Sequence, residues 1–174
     1  MKILITVLAI VSISHLSQAQ DYREIGIRTF SFNSATFLFK KEKELGKFRR
    51  YSAFLSSQST FGLLTTSQTR FGGSIGFEKR KELTEKVDFI RGFNPGFTFR
   101  IAASNGGVYP ELGFSLGYIV GFQYHINKSF AVGAEMVPAF ALGIQAIDND
   151  YLLTNSINIS QNAGLFFVYK FNKK

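Results

Sequence analysis

Cysteine and tryptophan are both absent from this chain of 174 residues, and only three prolines occur. The lack of cysteine excludes a disulfide scaffold, a thiolate metal site and a cysteine nucleophile. Three prolines, together with 16 glycines that follow no period, exclude collagen-like and proline-rich segments. Charged residues make up only 18%, whereas 45% of the residues are hydrophobic and 20 are phenylalanine. This composition excludes intrinsic disorder and is untypical of a soluble enzyme.

The first 19 residues have the organisation of a secretory signal peptide. Lys2 provides a short positive start, and residues 3–13 form an apolar stretch that is too short to span a bilayer as a helix. Small residues then precede a cleavage site after Ala19. We therefore expect residues 1–19 to be removed on export and residues 20–174 to form a single domain.

Beyond this leader, apolar residues recur with a period of two. Between residues 111 and 126 every even position is apolar or aromatic, whereas the odd positions are mostly glycine or polar. Residues 130–145 repeat the pattern after a turn-forming Asn127-Lys128 pair. Because successive strand side chains point to opposite faces, both segments are predicted to be strands with one apolar face. Transmembrane helices are the alternative, which Glu135, Pro138 and the frequent glycines oppose.

The same alternation predicts eight strands joined by alternately tight and long connections. The other six strands are expected near residues 22–32, 36–43, 47–57, 71–80, 93–101 and 157–171. Tight turns are expected at 44–46, 83–86 and 127–128, and longer connections at 58–69, 103–110 and 148–154. Alternation puts Arg91 on the apolar face, so a β-bulge is predicted near Arg91-Gly92.

The apolar faces determine how this sheet is predicted to close. They carry more aromatic rings than the interior of an eight-stranded barrel accommodates, so these rings must face outward, into lipid. In lipid every backbone polar group needs an internal partner, and the sheet must therefore close on itself. The sequence thus predicts an all-β protein, an eight-stranded antiparallel transmembrane up-and-down β-barrel.

The last strand carries the most specific motif. Asn162, Gly164, Phe167 and Tyr169, followed by Phe171, fit an assembly signal of the form polar-x-Gly-x-x-aromatic-x-aromatic. In this motif and in its pattern the chain resembles the small eight-stranded outer-membrane barrels of Gram-negative bacteria, the OmpA, OmpX and OmpW type. The resemblance implies a monomer in the cell outer membrane, with membrane lipid and the barrel-assembly machinery as partners. It also implies that the short turns and both termini face the periplasm.

The face opposite the aromatic one carries charges of both signs. An unpaired charge in a narrow lumen is costly, so we expect these charges to pair and close the barrel. The expected network consists of Glu24, Arg28, Glu78, Arg80, Asp88, Arg100, Glu111, Glu135 and Lys170. Glycines on the same face, among them Gly113, Gly117 and Gly121, leave space either for the arginine side chains or for a narrow pore.

Basic residues concentrate around the short turns. The predicted basic periplasmic rim consists of Lys40, Lys41, Lys43, Lys47, Arg49, Arg50, Lys79, Lys81, Lys86 and Lys128. Such a rim either holds anionic phospholipid headgroups of the inner leaflet or is simply solvated. No nucleic-acid partner is expected in this compartment, despite a sequence pI of about 9.8.

No catalytic, cofactor or metal site is predicted. His125, the single histidine after the leader, invites comparison with lipid A deacylase barrels through Ser129 and Glu135, but Ser129 lies across a turn at the periplasmic side. Asp148 and Asp150 are only a fragment of a calcium-binding loop. We expect a structural or surface-interaction protein without catalysis. A narrow pore or small-solute channel is the first alternative, and a lipid A-modifying enzyme the second.

Several predicted strands exceed the ~9–11 residues that a tilted spanning strand needs. We expect the excess to rise above the membrane as a sheet whose rim binds a partner.

Overall fold

A computed structural model describes residues 22–31, 34–60, 66–104, 107–147, 150–158 and 163–172. The strands are β1 (Tyr22–Ser31), β2 (Ser34–Glu44), β3 (Lys47–Thr60), β4 (Thr66–Thr84), β5 (Val87–Ser104), β6 (Gly107–His125), β7 (Phe130–Met136), β8 (Ala139–Ile147), β9 (Asp150–Asn158) and β10 (Ala163–Asn172). Within these ranges, no helix is long and apolar enough to cross a membrane. The predicted signal peptide lies outside the described residues.

Eight of the strands form a closed ring of antiparallel neighbours. The order around the ring is β1-β2-β3-β4-β5-β6-β7-β10, and β10 returns to pair with β1. The closing ladder runs from Tyr22 opposite Asn172 to Thr29 opposite Leu165. The prediction of an all-β, eight-stranded antiparallel up-and-down barrel is therefore confirmed.

β7 and β8 are two parts of one long strand. Met136 pairs with Val120 and Ala139 pairs with Gly117, so both parts keep the same register against β6. The interruption falls at Pro138, which has no N–H to donate to the ladder. Its carbonyl oxygen still accepts a hydrogen bond from the Tyr118 N–H, at 2.9 Å. The long strand is thus continuous in register across its central break.

One side of the barrel is much taller than the other. The hairpin of β1 and β2 ends early, with Ser31 paired to Ser34, whereas β4 and β6 each extend over 19 residues. The upper ends of β3–β6, together with β8 and β9, continue beyond the ring as an open six-stranded sheet, which we call the raised sheet.

The long connections predicted at 103–110 and 148–154 are wrong, because the strands of the raised sheet run through them. Ser104 pairs with Gly107, and Ile147 pairs with Asp150, which leaves short hairpin connections. The polar composition of these segments suggested loops. Outside hydrocarbon, however, a sheet accepts polar side chains on both faces, so polarity does not end the pairing.

The bulge predicted near Arg91-Gly92 is also wrong. Arg91 lies opposite Lys79 on one side and Val120 on the other, in ladders that keep a constant register through this point. The irregularity between β4 and β5 lies instead between Glu82 and Thr84, beside the turn. Arg91 therefore does face outward, as the strict alternation required.

The two faces of the sheet differ as the alternation predicts. Outward rings such as Phe37 and Phe93 are 67% and 56% exposed, while the inward Leu38 and Ile90 are at most 1% exposed. The apolar belt therefore surrounds the ring, and a small apolar core fills part of its interior.

Gly133 of β7 provides a test of this close inward packing. A Cβ atom there would lie 2.2 Å from Cζ of Phe166 and 2.4 Å from the Phe122 carbonyl oxygen. We expect Gly133→Ala to destabilise the folded barrel by about 1–3 kcal/mol, the usual effect of overpacking. Urea unfolding followed by circular dichroism measures this change.

Gly113→Ala is the matched control, because the nearest atoms to its new Cβ are at 3.7 Å, an ordinary contact. Equal unfolding midpoints for the two variants would contradict close packing around Gly133.

Candidate functional site

The centre of the lumen is crossed by an ion pair between opposite walls. Arg50 lies on β3 and Glu135 on β7, which are diametrically opposite in the ring of eight. Nη1 of Arg50 lies 2.6 Å from Oε2 of Glu135, and its Nη2 contacts Oε1. Arg28 of β1 approaches the same carboxylate, with Nη1 at 2.7 Å from Oε1. Glu135 thus joins three separate strands.

A second group of charges is centred on Arg80. Its Nη1 and Nη2 each donate to a carboxylate oxygen of Glu24, both at 2.7 Å. Its Nε donates to Oε1 of Glu78, also at 2.7 Å. The amide of Gln123 on β6 donates to Glu24 at 3.3 Å.

Glu78 links the two groups into one network. Its Oε2 lies 3.0 Å from Nζ of Lys40 and 3.8 Å from Nη1 of Arg50. We call the eight residues of this network the lumen plug: Glu24, Arg28, Lys40, Arg50, Glu78, Arg80, Gln123 and Glu135. In such surroundings each charge depends on its partners, since an unpaired buried ion would cost several kcal/mol.

Lys40 and Arg50 correct the predicted basic rim. Both side chains are fully buried inside the ring, at 0% exposure, so their placement on the rim is wrong. They face each other across β2 and β3, and strand alternation turns both inward. Their neighbours Lys41 and Arg49 face outward instead. The other predicted rim residues, Lys43, Lys47, Lys79, Lys81, Lys86 and Lys128, are exposed at or near the short turns.

The remaining predicted lumen charges form two groups apart from the plug. Oδ2 of Asp88 accepts a hydrogen bond from Nε2 of His125 at 2.8 Å, and Nζ of Lys170 contacts the Nδ1 of the same ring. Arg100 and Glu111 pair across β5 and β6, with side chains 26% and 21% exposed. The predicted single network is therefore three groups. The plug is the most deeply buried of them, and Lys170 is the buried member of the group around His125.

Aromatic and aliphatic side chains complete the plug. The Lys40 ammonium lies 4.6 Å from the ring centroid of Phe166, and the Arg80 guanidinium 3.7 Å from that of Phe48. Ile119 and Val168 are fully buried beside them. Phe48, Ile119, Phe166 and Val168 were not among the predicted lumen residues. The available signal was the apolar pair at 166 and 168 on the otherwise polar face of the last strand.

A cavity of about 430 Å³ lies in the lumen between the plug and the raised sheet. Its wall includes Arg28 of the plug and the hydroxyl or amide groups of Ser52, Ser74, Asn94 and Ser115. Ser74 donates to Oδ1 of Asn94 at 2.9 Å and shares a 2.6 Å hydrogen bond with Ser52. The lumen is therefore polar and roomy above the plug, and filled by ion pairs at the plug.

His125, Ser129 and Glu135 do not form a catalytic group. Both ring nitrogens of His125 are engaged, by Asp88 and Lys170, so neither is available to a serine hydroxyl. Ser129 lies in the turn before β7, where its N–H donates to Asn127. Glu135 is held by the arginines of the plug.

Two other predicted features are only partly described. Among the described residues, no group of three histidine or acidic side chains could hold a metal ion. Asp148 of the calcium-loop fragment and Asn162 of the assembly motif lie outside the described residues. The rest of that motif lies on β10, with Phe167 and Tyr169 facing outward. Both rings contact the Phe130 ring on β7.

Comparison with known proteins gives a structural likeness but no sequence relative. No protein-family model matches the chain, and no curated protein matches it. Among solved structures, the chain is similar to Ail, the attachment invasion locus protein of Yersinia pestis, at 14% sequence identity and a TM-score of 0.47. The match covers 86% of this chain and 94% of that one.

Replacement of a single carboxylate tests the lumen plug. Glu135→Gln removes the partner of two buried arginines, so we expect a loss of about 3–5 kcal/mol in the free energy of unfolding. Urea titration of the refolded barrel, with the heat-dependent gel shift as a check on folding, measures it.

Glu111→Gln is the matched control, since its pair with Arg100 is partly exposed and is expected to contribute about 1 kcal/mol or less. The importance of the plug would be contradicted if both variants unfolded at the urea concentration of the unmodified protein.

Proposed function

We propose that the chain is an outer-membrane β-barrel that acts by surface interaction through the raised sheet, with its lumen closed and without catalysis. Residues 1–19 would be removed on export, and the barrel-assembly machinery would read the aromatic end of β10. The mature protein would be a monomer surrounded by membrane lipid. The observation that carries the proposal is the lumen plug, because it leaves the raised sheet as the main polar surface open to a partner.

The outward belt supports the membrane location. Large apolar side chains lie exposed around the ring, for example Phe77 at 51%, Phe122 at 51% and Phe167 at 47%. A water-soluble protein rarely exposes a continuous apolar surface of this extent. Within the ring each strand pairs with a neighbour on both sides, as hydrocarbon requires.

The raised sheet has the features of a binding surface. Its two outer edges are the end of β3 and the whole of β9, and no other described strand pairs with those edges. On β9, Tyr151 and Leu153 are 79% and 69% exposed. A free edge offers unpaired backbone groups to an extended segment of a partner, and exposed apolar side chains add contact area.

A narrow pore remains the second candidate function, because the lumen above the plug contains a polar cavity. In a planar bilayer we expect the refolded protein to give no reproducible current steps, since buried ion pairs fill the lumen at the plug. Single-channel recording measures this directly, on protein whose folding has been checked by its gel shift. Regular current steps would replace the surface-interaction proposal with a transport function.

Surface interaction is tested on cells that display the barrel. We expect such cells to adhere to protein-coated surfaces, or to each other, more than cells without the barrel. Tyr151→Lys and Leu153→Lys place a charge on the β9 edge, which blocks the addition of another strand, and should reduce adherence.

Val108→Lys is the matched control, because Val108 is 65% exposed near the start of β6, an internal strand of the raised sheet. Equal adherence with and without the displayed barrel would argue against a surface role. An equal reduction of adherence by all three variants would argue against the β9 edge as the binding site.

A further inference from the structure

A row of basic residues crosses the outer wall of the barrel at the end that carries the short turns. Lys47 of β3 lies opposite Lys79 of β4, and Lys79 lies opposite Arg91 of β5. All three side chains are exposed on the outward face. Like charges placed directly opposite each other on adjacent strands repel and destabilise the sheet. An anion bound between these side chains would relieve this repulsion.

The wall compensates these charges only in part, through Glu44, which lies near both Lys47 and Lys79. Lys47 pairs with Glu44, whose pKa this hydrogen bond lowers, so that Glu44 stays ionised. No carboxylate of the described residues lies within salt-bridge distance of Lys79 or Arg91. Arg49, also on this wall, stacks 5.4 Å from the Phe77 ring, and its buried Nε has no hydrogen-bond partner.

An aromatic row lies directly beside the basic row, one outward position further from the turns. Arg49, Phe77, Phe93 and Tyr118 follow one another in register across β3, β4, β5 and β6. The rings of Phe93 and Tyr118 pack edge to face at 5.2 Å. The two rows enclose a surface pocket of about 460 Å³, to which both the basic and the aromatic side chains contribute.

The opposite wall lacks this arrangement. Among the described residues, the outward positions of β6, β7 and β10 carry no lysine or arginine. They carry rings such as Tyr124, Phe130 and Tyr169 at the same end of the barrel. The outward basic charge therefore lies on β1–β5, where β1 and β2 contribute Arg23, Lys41 and Lys43, and on β3–β5 it borders the rings of the aromatic row.

We propose that this pocket binds one anionic glycerophospholipid, with its phosphodiester between Lys79, Arg91 and Arg49 and its acyl chains along Phe77, Phe93 and Tyr118. The basic row supplies the charge that a phosphate oxygen requires, and the aromatic row supplies the apolar surface for the chains. This order of headgroup and chains matches the order of the two rows along the barrel wall. The inference goes beyond surface interaction and is independent of the raised sheet.

Native mass spectrometry in zwitterionic micelles tests the site. The refolded barrel is titrated with phosphatidylglycerol and, separately, with phosphatidylcholine of the same chain length. We expect a single phosphatidylglycerol to be retained at least about tenfold more tightly, because only this lipid carries a net negative charge for the basic row. Equal retention of the two lipids would overturn the proposal.

The double variant Lys79→Gln/Arg91→Gln should bind phosphatidylglycerol about 30-fold more weakly, since each basic residue contributes about a factor of five at a membrane surface. The matched control is Lys86→Gln/Lys128→Gln, which removes the same charge from two exposed turn residues outside the pocket. Its affinity should change by less than about twofold. Equal losses of affinity in both double variants would show that net charge alone determines lipid binding, and this result would overturn the site.

Inorganic phosphate distinguishes a lipid site from a simple phosphate site. Because the aromatic row contributes to lipid binding, phosphate at the lipid concentration should not displace phosphatidylglycerol. Efficient displacement would show that the basic row binds free phosphate and would overturn the lipid assignment. The gel shift on heating confirms that each variant is folded, and the comparison of two lipids on the unmodified protein does not depend on any variant.

Discussion

The contact of Arg50 with Glu135 ties the two most distant walls of the ring together through its centre. Around this contact the other plug residues are arranged so that each carboxylate meets at least one cation. Apolar burial cannot hold such a barrel together in the usual way, because its large apolar side chains face outward. The backbone ladders close the ring, and inside it the paired charges form specific contacts, since loss of one partner would leave an uncompensated buried ion.

The architecture could be predicted from the sequence because lipid imposes a simple alternation on strands. In β6 the pattern is unbroken from Leu112 to Tyr124, and the structure reproduces it residue by residue. Where two charged residues are adjacent, only their apolar neighbours indicate which one points inward: the outward Phe37 places Lys40 inside, and the outward Tyr51 places Arg50 inside. Lys40-Lys41 and Arg49-Arg50 are such pairs, and all four were placed outside although Lys40 and Arg50 lie at the centre of the plug.

In the raised sheet, composition predicted secondary structure less well than alternation did within the ring. The segments around Ser104 and Ile147 are polar or small and suggested loops, yet their backbones remain paired. Hydrocarbon demands a complete ring, but water permits free strand edges. The chain therefore continues the sheet on one side of the barrel only. The β1–β2 hairpin ends early, at Ser31 and Ser34, and the edge of β9 has no neighbouring described strand. The boundary between the closed ring and the open sheet follows from the change of surroundings from hydrocarbon to water. The sequence gives little indication of where this boundary falls.

The pairing of β1 with β10 also governs when the barrel can become stable. The first and last strands of the described chain share a ladder, with Tyr22 opposite Asn172. Loop closure over nearly the whole chain must occur before that ladder forms. Until then, β7 has no β10 beside it and β1 has a free edge, so the wall that positions Glu135 against Arg28 is incomplete. Maturation should accordingly be all-or-none: a truncated or stalled chain gains little protection from proteases, whereas the finished chain acquires its resistance in a single late step.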